Sequence, residues 1–309
     1  MAALFASSLY SGKCTIEIYA IIYVMESTAA LSSPASVQEK LERLRAILRS
    51  LGRVAVAFSG GVDSTFVLKV AVDTLGRENV LAVTGASDSV AVTEMDDARR
   101  LAIQIGAEHV VIETREFEDA NYLANPTNRC YYCKTQLYTR MAELLAPRGP
   151  FVIVNGTNAD DLGDFRPGLT AASEHSVRAP CADVGLTKSE IRTLSAQIGL
   201  PTADKPAAPC LSSRVQYGEA ITPEKLRMIE SGEAFLRSLG LRECRVRHHD
   251  KLARIEVPAD QITGLAAPEV RAKIDAAFRE IGYHYVTLDL RGFRSGSMNE
   301  VIAFGRRQP

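Results

Sequence analysis

Three short stretches of the sequence concentrate groups able to do chemistry. The first is Ser59-Gly60-Gly61-Val62-Asp63-Ser64. Two adjacent glycines let the backbone turn sharply and aim successive N–H groups at an anion. A helix opening directly behind such a turn adds unpaired N–H groups and the positive end of its dipole. Ser59 and Ser64 add hydroxyl donors, so the stretch reads as a phosphate loop. No lysine precedes Ser64, so this is not the G-x-x-x-x-G-K-[ST] loop of kinases. Asp63 beside bound phosphates is repulsive unless a divalent cation bridges them, which points to Mg²⁺ and to Asp63 as a ligand of the metal.

The second stretch is Asn155-Gly156-Thr157-Asn158-Ala159-Asp160-Asp161, followed by Asp164-Phe165-Arg166-Pro167-Gly168. Turn formation accounts for one or two such residues. The density here exceeds that need, and Asn158, Asp160, Asp161 and Arg166 are candidates for orienting ribose and substrate or for holding a second metal. The third is sulfur: Cys130-Tyr131-Tyr132-Cys133, and Cys210 within Pro209-Cys210-Leu211-Ser212-Ser213-Arg214, where Arg214 joins the substrate candidates. A lone C-x-x-C is a redox pair, a metal clip or a coincidence. With Cys210, three thiolates suffice for a [4Fe–4S] cluster that keeps one iron open to an exogenous sulfur species. Zinc prefers four ligands, and Cys181 would supply the fourth. Cys14 and Cys244 have no partner pattern.

Positioning these groups requires a scaffold, and the periodicity supplies one. Ser36 and Glu39 form a capping box opening a helix with Val37, Leu41, Leu44, Leu48 and Leu51 on one face. Short β-favouring runs follow at Arg53–Phe58, Val80–Thr84, His109–Ile112 and Phe151–Val154, alternating with helical stretches at about Ser64–Leu75, Thr93–Ile105 and Lys134–Leu145. Thr187 and Glu190 cap a further helix that ends near Gly199. This alternation is that of βαβ units, predicting an α/β domain, a parallel sheet with helices on both faces. Ligands bind outside the carboxyl ends of such strands, where Ser59, Gly85 and Asn155 stand. Three prolines in 201–209 mark a boundary. Beyond it, helices Pro223–Leu239 and Pro268–Ile281 and strands near Glu243–His249, Leu252–Val257, Tyr283–Leu290 and Val301–Phe304 make a smaller α+β domain. The expected organisation is an extension over 1–35, the nucleotide domain over 36–206 and the second domain over 207–309.

In the second domain, strand alternation puts Arg245, Arg247 and His249 on one face, with Arg254 on the next strand beside them. A face of guanidinium groups suits a phosphate or is a solvated basic surface; Arg291 and Arg294 are similar candidates. Composition sets outer limits. The 309 residues carry 36 basic and 37 acidic side chains, a net charge of −1, which offers no global attraction to nucleic acid or anionic membrane. The apolar run Tyr19–Val24 is too short to span a bilayer, and Glu17 precedes it without a basic n-region. Met25 is an alternative start, and six cysteines without regular spacing suit a reducing, cytoplasmic setting.

The Ser59–Ser64 hexapeptide resembles the SGGxDS signature of the ATP-pyrophosphatase (PP-loop) family, whose fold is of the adenine nucleotide alpha hydrolase type. The resemblance implies cleavage of ATP between the α- and β-phosphates. Together with NPTNRCYYCK, NGTNADDLGDFRPG, PCLSSR and RGFRSGSMN, the sequence is similar to the LarE family from about Leu41 onward. That resemblance implies ATP-dependent sulfur insertion into pyridinium-3,5-biscarboxylic acid mononucleotide, a small-molecule nucleotide substrate, by a homo-oligomer. It also implies two sulfur sources: sacrifice of the cysteine at 210, or a cluster held by Cys130, Cys133 and Cys210. Gln216 departs from the proline expected there. Rival activities are tRNA thiolation, which calls for a basic surface or an RNA-binding domain, and ATP-dependent amide formation, which needs none of the cysteines.

Overall fold

A computed structural model describes residues 35–163 and 166–294. The expected strand Val301–Phe304 lies outside the described residues, as do Asp164, Phe165 and the loop from Ser295 onward. The chain divides into two compact units, residues 1–42 and residues 43–309. In the first, the box between Ser36 and Glu39 forms in both directions, at 2.7 Å and 3.2 Å, and opens helix α1 (Val37–Leu51).

The larger unit carries both sheets. The first has four parallel strands, β1 (Val54–Ala57), β2 (Val80–Ala86), β3 (Glu108–Glu113) and β4 (Val152–Val154), in the order β3-β2-β1-β4. Its helices are α2 (Val62–Leu75), α3 (Val92–Ile105), α4 (Arg129–Leu145), α5 (Pro167–Glu174) and α6 (Lys188–Gln197). Adjacent strand residues point to opposite faces. Ala55, Leu81 and Val83 pack against Tyr138, Met141, Leu145, Ala171 and Ala172, while Val54, Val56, Val80 and Ala82 between them are equally buried. Burial on both faces explains strands that read as continuous apolar runs. Helix α2 buries eight of its fourteen residues, so it lacks a strong polar face.

The second sheet joins β5 (Arg245–His249), β6 (Leu252–Glu256) and β7 (Tyr285–Leu288), antiparallel then parallel. Helices α7 (Pro223–Ser238) and α8 (Pro268–Ile281) cover it through Leu236, Ile274 and Phe278. No helix among the described residues is long and apolar enough to cross a membrane.

One boundary matters for chemistry. The periodicity predicts a helix from Lys134, whereas α4 begins at Arg129. Tyrosine and cysteine are middling helix formers, but Tyr131 packs on the sheet core and Tyr132 and Cys133 on a cluster with Leu211 and Val215. Tertiary packing therefore extends the helix by one turn. Cys130 and Cys133 consequently stand at i and i+3, on one face.

Candidate active site

The chain leaves β1 toward β2 and β3 on one side and returns to β4 on the other. The crevice for a ligand lies at that reversal, outside the carboxyl ends of β1 and β4. The 59–64 loop and the 155–161 loop occupy those two ends, as their sequences imply.

In the first loop Gly60 adopts φ +69, and a Cβ there would meet the Ala98 backbone at 3.2 Å. Both facts demand glycine. The Ser59 and Ser64 hydroxyls lie 3.1 Å apart, and the Ser59 N–H donates to Ser64 Oγ at 3.2 Å, closing the turn on itself. The second loop locks onto it. A Cβ on Gly156 would lie 2.7 Å from Ser64 N and 2.9 Å from the Asp63 carbonyl carbon, so only glycine admits this approach. Asn158 Nδ2 donates to Asp63 Oδ1 at 3.4 Å. The Asn155 and Asn158 side chains accept from the Thr157 and Asp160 N–H groups at 3.0 Å each, and Asp161 pairs with Arg166 at 2.8 Å.

Two lysines complete this end, and sequence reasoning missed both. Lys188 Nζ lies 2.5 Å from Asp63 Oδ2, and its own N–H donates to Asp160 at 2.8 Å. Lys205 Nζ donates to the Gly60 carbonyl at 3.4 Å while bridging Glu94 at 2.8 Å and Asp97 at 3.0 Å. Asp63, expected as a ligand of Mg²⁺, therefore has a cation beside it from the chain itself. The one sequence signal for Lys188 was its place directly after Thr187, at the start of a capped helix; Lys205 carried none.

The sulfur end sits one strand over. The Leu211 N–H donates to Ser89 O at 2.8 Å, which ties the Cys210 turn to the loop after β2. From the other side, Tyr122 Oη lies 2.7 Å from Ser212 Oγ, and buried Asn125 donates to Gln216 O at 2.8 Å. Arginines hold the remaining carbonyls: Arg245 on Ala207 at 2.6 Å, Arg214 on Pro209 at 2.5 Å and Cys210 at 3.0 Å, Arg129 on Ser212 at 3.0 Å, and Arg247 on Ser213 at 2.9 Å. All four are buried.

This changes the roles expected for several residues. Arg214, expected among the substrate residues, is engaged by Glu233 at 2.8 and 3.1 Å and by the carbonyls of the Cys210 turn. Arg247 pairs with Glu256 at 2.8 Å and Arg245 stacks on Phe293, 5.0 Å from the ring centre. The face expected at Arg245 and Arg247 is thus buried, not an open basic surface. Arg254 and Arg294 are part-exposed and share Asp289, each at 3.6 Å.

The three thiols expected to act together are within range of one another's charge. Cys130 is exposed as a residue, yet desolvation of its thiol by the surrounding protein raises it above the ordinary thiol range, Cys210 adds to this, and Arg129 opposes it. Burial pushes Cys133 up to about 12, helped by Glu116. Burial opposes the charge on Lys134, yet Tyr138 and the three thiols hold its pKa above the usual lysine value. Among the described residues, however, no three His, Cys, Asp or Glu side chains are disposed as a ready metal site. The expected cluster ligands thus lie within range of one another without closing on a metal, and metal binding requires thiolate. Cys181 is fully buried, near Asp63 and away from the other thiols' influence, which removes it as a fourth zinc ligand.

A phosphate-receiving loop after β1, a carboxamide- and carboxylate-rich loop after β4 and thiols over β2 define an ATP-using enzyme of the PP-loop class. A family model described as NAD synthase matches residues 36–135. An uncharacterized protein of Synechocystis is 45% identical over 266 residues, 86% of this chain and 99% of its own. The pyridinium-3,5-bisthiocarboxylic acid mononucleotide synthase of Lactiplantibacillus plantarum is 38% identical over 269 residues, 87% of this chain and 96% of its own. A tRNA-specific 2-thiouridylase of Paracoccus denitrificans is 30% identical, over 57% of this chain and 54% of its own. The chain belongs to the pyridinium-3,5-bisthiocarboxylic acid mononucleotide synthase (LarE) family, and it is an ATP-dependent sulfurtransferase.

Proposed function

We propose that this enzyme, a cytoplasmic homo-oligomer, uses ATP to activate a carboxylate of pyridinium-3,5-biscarboxylic acid mononucleotide and then replaces the activated oxygen with sulfur. A substrate carboxylate oxygen attacks the α-phosphorus of ATP, and the bond to the bridging oxygen breaks. Pyrophosphate leaves with the electron pair and an acyl adenylate remains. The amides of residues 59–64 receive the pyrophosphate at the N-terminus of α2, with Lys188 and Lys205 as nearby cations and Asp63 placed to take Mg²⁺ beside the phosphates. A sulfur nucleophile then attacks the acyl carbon, the bond to the AMP oxygen breaks, and AMP departs. Asn158, Asp160, Asp161 and Arg166 border the nucleotide. Arg254 and Arg294, the part-exposed arginines, are left to face the substrate phosphate. The observation carrying this reading is that the Cys210 turn is hydrogen-bonded to the loop after β2, the strand beside the phosphate loop.

Two readings of the sulfur source rest on different observations. The donor set of Cys130, Cys133 and Cys210 has the soft-ligand chemistry of an iron–sulfur cluster, which would carry a labile sulfide on the iron without a protein ligand. The lack of a ready metal site among the described residues favours Cys210 itself. Its thiolate forms a thioester, its Hα is removed, and the Cβ–S bond breaks. Sulfur then stays on the substrate and dehydroalanine at 210. Both readings require pyrophosphate, AMP and thiocarboxylate from ATP and the biscarboxylate, and failure to form them refutes the function. Anaerobic reconstitution with iron and sulfide, and mass spectrometry of the Cys210 peptide after turnover, then separate the two.

A further inference from the structure

Arg129 is the first residue of α4 and is buried, with 4% of its surface exposed. Its Nη1 donates to Asn125 Oδ1 at 2.5 Å and to Ser212 O at 3.0 Å, and its Cζ lies 6.0 Å from the centre of the Tyr217 ring. Of the other arginines of the Cys210 turn, Arg245 likewise shows no ion pair among the described residues and stacks on Phe293, while the remaining two are ion-paired. Arg214 and Arg247 each have a buried glutamate partner at 2.8 Å. Among the described residues, no carboxylate lies within ion-pair distance of Arg129. Among its neighbours Cys210 and then Cys130 most favour its charge, and it hydrogen-bonds Cys130, whose thiol is held above its ordinary range. A guanidinium does not shed its proton, and burying it against neutral acceptors leaves a desolvation cost that only an anion offsets. A structural staple between Asn125 and Ser212 would need donors, not a charge.

We infer that Arg129 binds the substrate carboxylate destined for thiolation and holds its carbonyl oxygen while sulfur attacks the acyl carbon. This rests on the function proposed above. Arginine matches a carboxylate in planar, two-pronged fashion. In the attack, a C–S bond forms as electrons move onto the carbonyl oxygen, and a fixed cation beside Cys210 stabilises that charge until the C–O bond to AMP breaks. The same contact would orient the carboxylate for adenylation, because the reacting carbon must reach both the α-phosphate and the sulfur.

Arg129→Lys keeps the charge but loses the planar fork; Arg129→Met loses both. Steady-state rates are measured with ATP and with the biscarboxylated mononucleotide as the varied substrate, alongside alkylation of Cys210 by iodoacetamide. The expected result is a KM for the carboxylate substrate raised about 10- to 100-fold in both variants, the loss of a charged hydrogen bond, with KM for ATP essentially unchanged. Added guanidinium ion should restore part of the loss in Arg129→Met. An unchanged KM for the carboxylate substrate with altered Cys210 alkylation would assign Arg129 to the thiols and overturn the inference. A lysine variant that does not fold would make Arg129 a structural staple, with the same consequence. If the wild-type enzyme makes no thiocarboxylate, the proposed function fails instead, so the two failures are distinguishable.

Discussion

The clamp on Cys210 is open to a double-variant test. Arg214 and Glu233 are 4% and 2% exposed and bonded twice, at 2.8 and 3.1 Å. Arg214→Met leaves the Glu233 carboxylate buried with Arg237 at 3.5 Å and the Val246 N–H as remaining partners. Removing one member of a buried pair costs about 3–5 kcal/mol, and Arg237 moves the expected value toward the lower end. For a domain of this size, that corresponds to a Tm loss of roughly 6–20 °C. In Arg214→Met/Glu233→Leu both charges are gone, and much of the stability should return. Function should not return with it, because the Pro209 and Cys210 carbonyls have lost their donor and the turn no longer fixes the thiol. Thermal melts should therefore recover in the double variant while thiocarboxylate formation stays depressed and pyrophosphate release persists. A single variant melting within about 2 °C of wild type, or a double variant transferring sulfur at the wild-type rate, would refute the clamp.

Other perturbations probe the nucleotide end and the second sheet. Gly156→Ala would place a methyl 2.7 Å from Ser64 N, driving the 155–161 loop off the phosphate loop; overpacking of this kind costs about 1–3 kcal/mol, and KM for ATP measured by pyrophosphate release should rise. Lys188→Met removes the cation 2.5 Å from Asp63 and should weaken magnesium-ATP binding by calorimetry; undiminished affinity would exclude Lys188 from the phosphate site. Burial holds buried His248 down to about 4, against an ordinary 6.5, beside the Tyr283 hydroxyl at 3.2 Å. The unfolded chain takes up that proton first as pH falls, so stability is full above about 6.5 and is lost toward 4, by at most about 3 kcal/mol. Urea midpoints across that range should fall in the wild type and flatten in His248→Phe.

The nucleotide loop and the sheet around it were legible because both are local. A strand run, two glycines and a helix start lie within twenty residues, and the helices carry their own caps at Ser36 and Thr187. The roles of the arginines were not legible. Alternation correctly pairs Arg247 with Arg254 across β5 and β6. What each guanidinium meets depends on Glu233, Glu256 and the carbonyls of 207–213, which only the folded chain brings near. Lys188 and Lys205 were hidden for the same reason, lying 125 and 145 residues from their loop partners. The start of α4 was misplaced because its first turn is held by packing, which has no signature in periodicity.

That first turn also links the two ends of the chemistry. Tyr138, eight residues beyond Cys130 on α4, receives Asn155 Nδ2 at 3.4 Å. At 1.5 Å per residue the helix carries Cys130 about 12 Å and Cys133 about 7.5 Å from that contact, and Lys134 stands between. An acyl adenylate has its reacting carbon two linkages beyond the departing pyrophosphate, so sulfur is useful only if it waits at that remove from the phosphate loop and not within it. One rigid helix, anchored at the 155–161 loop and tipped with Cys130 and Cys133, fixes that interval. The Cys210 turn is brought to the same place by the loop after β2. In the function proposed above, such a helical span would keep the thiols off ATP itself while leaving the adenylate within their reach.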